Sequence, residues 1–263
     1  MKAMKTTAIM NLKGGVAKTI TAVNMAMILA EKHGKRVLLI DADPQGNSSS
    51  FFSPEEPCVT LRDILAADSE PYWADDVQHS GLEGLDYLPA DLTLAELDLM
   101  ENVDKEERER RHYRLRDFVE AAAEDDAYDH VIIDMPPSFS LPARAALIAA
   151  DEVIVPMKLD AFSVDGMIAM NRQIENARKL NAGLKFLGVL VTMRRGKAST
   201  AAGINSLRAS RVPVFQQTIR WTDEIVDEST YVHQPLYAYS PRCGAARDYV
   251  KFVIEYLGGE QRG

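Results

Sequence analysis

Residues 11–19 read Asn11-Leu12-Lys13-Gly14-Gly15-Val16-Ala17-Lys18-Thr19, between a short β-branched run and a longer apolar-periodic one. Upstream, Lys5–Met10 predicts a strand. Downstream, Thr19–His33 predicts a helix: Ile20, Val23, Met27 and Ala30 recur at helical spacing, and Gly34 supplies the stop. A glycine pair at such a strand-to-helix turn lets the backbone curl until successive N–H groups face one point. The positive end of the helix strengthens that field. A loop of this kind suits phosphate oxygens, with Lys18 reaching the β and γ phosphates and the Thr19 hydroxyl available to Mg²⁺. The pattern G-x-x-x-x-G-K-[ST] is not met in full, since Leu12 and Ala17 stand at its two glycine positions. On the loop alone, a Gly-Gly turn ahead of a helix with a surface lysine remains the alternative.

Two further stretches bear on that choice. Leu38-Leu39-Ile40-Asp41-Ala42-Asp43-Pro44-Gln45-Gly46-Asn47 puts two carboxylates at the end of a second strand. His130-Val131-Ile132-Ile133-Asp134-Met135-Pro136-Pro137 puts a third at the end of another. One buried acid at a strand end can be a structural cap. Three of them beside a phosphate loop, at the strand ends where open α/β sheets bind ligands, make a site for a Mg²⁺–nucleotide.

Working outward, the chain alternates strands with helical patterns. Arg36–Ile40, His130–Asp134, Glu152–Val155 and Phe186–Thr192 read as strands apolar on both faces, as in a central parallel sheet. Leu92–Met100, Glu106–Ala123, Leu141–Ala149 and Val164–Leu180 read as helices. The expected fold is α/β: a doubly wound, mostly parallel sheet with helices on both faces, three layers deep. With no internal repeat or Gly/Ser linker, residues 1–263 are expected to form a single domain. The loop begins almost at residue 11, so no helix-turn-helix extension and no sequence-specific operator binding are expected.

The 263 residues are 46% hydrophobic and 26% charged, which excludes a disordered or collagenous chain. A net charge of -9 excludes a wholly basic nucleic-acid binder, but not a local basic face. Arg194–Arg220 carries Arg194, Arg195, Lys197, Arg208, Arg211 and Arg220 and no acid. It is either an anion-binding face or a merely basic surface. Glu101–Arg116, dense in both signs, reads as a solvated helix face. Cys58 and Cys243 are too few for a disulfide scaffold, and the five histidines lack metal-ligand spacing. Trp221, Tyr231, Tyr237 and Tyr239 read as core. No apolar run approaches the ~18 residues that span a bilayer. No signal segment is visible either, so a cytoplasmic protein is expected.

Taken together, Lys-Gly-Gly-Val-x-Lys-Thr, Leu-Ile-Asp-x-Asp-Pro-Gln-Gly-Asn and Ile-Ile-Asp-x-Pro-Pro resemble the deviant Walker P-loop ATPases of the ParA/Soj and MinD superfamily. The likeness is greatest to the partitioning ParA branch. Asp151–Pro156, Gly188–Met193 and Leu236–Tyr249 match as well, so it runs over about residues 4–257.

The resemblance implies a weak ATPase acting as a switch in chromosome, plasmid or mobile-element partitioning, with ATP and Mg²⁺ as cofactors. Lys13 matches the second lysine that crosses a sandwich-dimer interface to the partner's phosphates. The nucleotide set is then Lys13, Gly14, Gly15, Val16, Ala17, Lys18, Thr19 and Ile20, with Thr192 and Met193 at the adenine pocket. Asp43 matches the acid that orients the attacking water, so Lys13, Lys18 and Asp43 form the catalytic set. Thr19, Asp41 and Asp134 match the Mg²⁺ set. Pro44–Asn47 and Met135–Phe139 match two switch segments. The ATP-bound homodimer would bind DNA non-specifically through Arg195, Lys197 and Arg220. It would associate with the nucleoid in that state, and a ParB-like partner would stimulate hydrolysis.

Several departures bear on this. Ala17 replaces a usual glycine, so its methyl either crowds the phosphates or keeps the backbone at negative φ, where alanine is unstrained. Ile20 replaces a usual hydroxyl residue. Asp223–Glu228 is acidic where relatives often carry arginine. Two other readings stay in view. One is a nucleotide-gated regulator or polar scaffold with negligible turnover. The other is a MinD-like membrane-surface ATPase, which needs a basic amphipathic tail that Asp248–Gly263 does not supply.

Overall fold

The computed structural model describes residues 4–52, 58–67, 73–99, 104–159, 172, 174–196 and 198–260. Among them, seven strands form one sheet: β1 Lys5–Ile9, β2 Val37–Asp41, β3 Gln78–Leu82, β4 Leu85–Leu88, β5 His130–Asp134, β6 Glu152–Lys158 and β7 Lys185–Thr192. Their order is β3-β4-β2-β5-β1-β6-β7, and every pairing is parallel except β3 with β4. β1 is flanked by β5 and β6, yet the chain leaves it for β2. That reversal of direction opens a crevice above the end of β1, where doubly wound sheets take their ligands.

The strands read as continuous apolar runs because each face has its own helical layer. Ala8, Leu38, Ile40, Val131, Ile133, Val153 and Val155 join one core, with α2 Leu61–Ala66, α4 Lys105–Glu124 and α5 Leu141–Ala149. The alternate residues Ile9, Val37, Leu39, Ile132 and Ile154 join the other, with α1 Lys18–His33 and α10 Gly244–Glu260. This is the expected three-layer fold. The remaining helices are α3 Trp73–Asp76, α6 at residues 174–180, α7 Ala198–Ala209, α8 Asp223–Tyr231 and α9 Leu236–Tyr239. Among the described residues, no helix is long and apolar enough to cross a membrane.

Three sequence expectations change, and a fourth lies mostly outside the described residues. β3 and β4 were not foreseen: Gln78-His79-Ser80-Gly81-Leu82 is too polar to read as a strand, and only the neighbouring β4 makes it one. Leu92–Met100, expected as an α-helix, is a 3₁₀ helix over Leu92–Asp98, with Met100 outside the described residues. It buries only Leu94 and Leu97, whose spacing of three suits that tighter helix, and the Asp91 carboxylate caps it by accepting from the Thr93 N–H at 2.8 Å. Most of the Val164–Leu180 helix lies outside the described residues. The four aromatics are not core: Tyr231 is 86% exposed, and Trp221, Tyr237 and Tyr239 are only half-buried.

One margin of the sheet is covered. Backbone bonds from residues 213–221 run along the outer edge of β7, with Val189 N–H reaching Pro213 and Ile219 N–H reaching Val191. At the other margin β3 is short and irregular between His79 and Leu82, where Gly81 takes a φ of +80°.

Candidate functional site

The site lies at the carboxyl ends of β1, β2 and β5. Register makes Asp134 the neighbour of Ile9 on one side and of Asp41 on the other, so the two acids and the start of the loop lie side by side. Asn11 anchors the loop at both hands. Its amide donates to the Pro156 carbonyl at 2.8 Å, and its Oδ1 accepts the Lys13 N–H at 2.9 Å. Further on, the Thr192 hydroxyl donates to the Val16 carbonyl at 3.0 Å, and the Thr21 hydroxyl donates to that of Ala17 at 2.6 Å.

Gly15 and Ala17 both adopt left-handed conformations, at φ +67° and +65°. Of the two alternatives for Ala17, a backbone at negative φ is therefore not the one adopted. The turn into α1 needs a left-handed residue immediately before Lys18, and the fixed loop ends impose it on an alanine at a cost of about 1–2 kcal/mol. A Cβ added to Gly14 or Gly15 would meet nothing within 4 Å, so both glycines border open space. Lys13 is exposed at the loop, and Ile20 packs partly against the α1–α10 core.

Lys18 is only 8% exposed, with its ammonium near the Lys13 carbonyl at 3.4 Å. Burial lowers its pKa, while the charges of Asp134 and Asp43 pull it back up. Asp41 is buried but well satisfied, accepting from the Ser49 N–H and hydroxyl and from the Asp43 N–H at 2.8–3.0 Å. Burial still raises its pKa. Asp134 is fully buried, and apart from a weak contact with the Thr19 hydroxyl neither of its oxygens meets a hydrogen-bond donor. Burial first, then the charge of Asp41, raises its pKa well above the usual carboxylate range; nearby Thr19 and Lys18 oppose the shift. A buried carboxylate so poorly partnered is costly unless a cation meets it. The donors around it are hard oxygens: Thr19, Asp41 and Asp134. That set fits Mg²⁺, and the open space at Gly14 and Gly15 fits phosphate.

Asp43 is 8% exposed and accepts the Gln45 N–H at 3.0 Å. In the same segment Gly46 has φ +62°, and a Cβ there would lie 2.7 Å from the Ala90 carbonyl oxygen. Residues 44–47 are thus pressed against the end of β4, and only glycine fits. Met135 is buried at the start of the segment 135–139, which was expected to act as a second switch.

The remaining candidates lie after β7. Thr192 is buried beneath the loop with its hydroxyl committed to Val16, and Met193 is left-handed at φ +52°. Arg195 is exposed, with its guanidinium 5.0 Å from the Trp221 ring centroid; the Lys158 ammonium is 5.6 Å from the same ring. Lys197 lies outside the described residues. Arg220 makes a bidentate pair with buried Asp248 at 2.7 and 2.8 Å, so much of its charge is already met. Asn11, Ser49 and Trp221 were missed in the sequence. Asn11 was legible as a polar residue closing an apolar strand; the other two gave no local signal.

A family model described as an AAA domain matches residues 4–186. The chromosome partitioning protein ParA of Caulobacter vibrioides is 35% identical, over 98% of this chain and 96% of that protein. The sporulation initiation inhibitor protein Soj of Bacillus subtilis is 34% identical, over 95% and 97%. Among solved structures, cobyrinic acid a,c-diamide synthase from Mycobacterium smegmatis with bound ADP and magnesium superposes with a TM-score of 0.80. It is 27% identical, over 98% of this chain and 96% of that one.

Proposed function

Since the chain belongs to the ParA/Soj family of partitioning proteins, we propose that it is an ATP- and Mg²⁺-dependent switch, one domain per copy, that pairs on ATP. The observation that carries the reading is Asp134, buried with no more than the weak Thr19 contact beside Asp41, Lys18 and an open glycine turn. In this reading the loop amides of residues 14–18 and the Lys18 ammonium grip the β and γ phosphates. Thr19, Asp41 and Asp134 would hold Mg²⁺, the two acids through waters; when bound, the ion neutralises charge building on the phosphate oxygens. Asp43 orients the attacking water. Lys13 reaches from one copy to phosphates held by the other, so its charge counts only in the closed pair.

The closed pair joins two copies of the cationic segment 194–220 and holds DNA through its phosphates, with Arg195 and Lys197 as main contacts and Arg220 secondary. Binding by phosphates then weakens steeply with salt. Hydrolysis, slow by itself and faster with a ParB-like partner and DNA, opens the pair and releases it from the nucleoid. A second reading is favoured by one observation, the alanine methyl at φ +65° in the loop: a nucleotide-gated regulator with negligible turnover.

Sedimentation with ADP and with ATP, alongside DNA retention and phosphate release, tests all of this. The expected result is a dimer and DNA retention with ATP only, and Asp43→Ala held as a stable ATP dimer. An Asp43→Ala protein that stays monomeric with ATP refutes the sandwich. Dimerisation without any phosphate release, with partner and DNA present, favours the second reading.

A further inference from the structure

We propose that Thr192 is a positioning residue, a buried latch through which occupancy of the phosphate loop sets the cationic turn after β7. The inference rests on the reading of the chain as an ATP-switched DNA binder. Thr192 is 1% exposed, and its hydroxyl donates to the carbonyl of Val16, itself 1% exposed, across 176 positions of sequence. The hydroxyl is therefore directed at the loop backbone.

The residues following the two ends of this bond are unusual in the same way. Ala17 follows Val16 at φ +65°, and Met193 follows Thr192 at φ +52°. Neither is glycine. Left-handed residues with a side chain persist only where their surroundings hold them, and they gather at switch segments. Here one hydrogen bond joins two such turns. The first belongs to the loop that would close on phosphate. The second begins the basic segment.

Beyond Met193 the connection is continuous. The Arg194 N–H donates to the Ile219 carbonyl at 2.8 Å, and the Arg194 carbonyl accepts the Trp221 N–H at 3.0 Å. Its Nε donates to the Thr218 hydroxyl at 2.8 Å. Trp221 then carries the Arg195 guanidinium and the Lys158 ammonium near its ring. Lys158 is itself the register partner of Thr192 on β6. The indole and its two cations are thus fixed to the strand end whose threonine holds the loop. Phosphates gripped at residues 14–18 favour one setting of Val16 and Ala17; the latch carries that preference to Met193 and the cations beyond it. Two sites that bias one bonded element are coupled, reciprocally.

The test compares Thr192→Val, which keeps the shape and removes the hydroxyl, with Thr192→Ser, which keeps the hydroxyl. The readout is the ratio of duplex-DNA affinity with ATP to that with ADP, measured beside ATP affinity and the melting temperature. Thr192→Val is expected to lower the ratio about fivefold, the scale of one hydrogen bond, with a smaller change in ATP affinity, and Thr192→Ser is expected to restore it. An unchanged ratio in Thr192→Val, or a loss that serine does not restore, overturns the latch. Should Thr192→Val fail to fold, Met193→Gly relaxes the second turn, and DNA affinity in the ADP state is expected to rise. No rise overturns the proposal. A wild-type protein without preference for ATP over ADP refutes the functional reading itself, and the latch with it.

Discussion

Two buried carboxylates lie at opposite ends of the central strands, and they are treated differently. At the amino-terminal end Glu152 of β6 accepts from the Thr7 hydroxyl and from the Tyr256 hydroxyl, each at 2.9 Å, with His130 close by. At the carboxyl end Asp134 of β5 is equally buried and meets no donor beyond the weak Thr19 contact. Burial alone does not separate a structural acid from a functional one; satisfaction does. Glu152 ties β1 and β6 to α10. Asp134 leaves lone pairs facing a glycine turn and a lysine, an arrangement that weakens the empty protein and suits a cation.

The sharpest way to break this comparison is to remove the lysine. Lys18→Ala is expected to weaken ATP binding by about 3 kcal/mol, more than a hundredfold, in calorimetric titration. Unchanged affinity would mean that the Asp134 end is not a nucleotide site. Next come the acids themselves. Glu152→Leu removes the oxygen that accepts from both hydroxyls and is expected to cost about 2 kcal/mol in denaturant unfolding. Asp134→Asn is expected to make the nucleotide-free protein more stable by about 1 kcal/mol while abolishing the stabilisation given by Mg²⁺ with ATP. If both substitutions destabilise alike, the two acids have the same role and the contrast fails.

The pH dependence sharpens it further. The folded-state pKa of Asp134 is raised, so between the usual carboxylate range and that raised value the folded chain keeps a proton that the unfolded chain has lost. The contribution to stability therefore falls as pH rises through this window. Melting of the metal-free protein is expected to show that fall, and Asp134→Asn or saturating Mg²⁺–ATP is expected to flatten it. A slope unaltered by Asp134→Asn would assign it to another group. The smallest effect is expected at the exposed face. Arg195→Glu is expected to lower DNA affinity and reduce its salt dependence by about one phosphate contact, with ATP affinity unchanged. Full DNA retention would place the DNA face elsewhere.

Much of this was legible before any coordinates. Strands buried on both faces announce themselves as unbroken apolar runs, so β1, β2, β5, β6 and β7 and the acids at their ends could be located. β3 could not, because Gln78-His79-Ser80-Gly81 owes its extended form to pairing with β4 rather than to its own residues. The loop is legible from its glycines and lysines, but they leave the conformation of Ala17 open between two alternatives. The loop is held by Asn11 against Pro156, by Thr192 against Val16 and by Thr21 against Ala17, and two of these bonds reach distant parts of the chain. The aromatic residues at 221–239 read as core, yet Tyr231 is exposed and the others are half-buried, because α8 and α9 turn only residues such as Val226 and Leu236 inward. That Asp134 is unsatisfied and Asp41 is not depends on Ser49, eight residues on from Asp41, and no local pattern carries that.

The two margins of the sheet constrain how copies of this protein meet. With residues 213–221 lying along β7 and an irregular, glycine-bent β3 at the far side, neither flank offers a straight ladder of free amides for another chain to zip onto. Accretion into ribbons or fibrils through sheet continuation is disfavoured at both sides. Self-association is left to side chains and loops, which a small ligand can make or unmake, and the nucleotide-dependent pairing proposed above would need that reversibility.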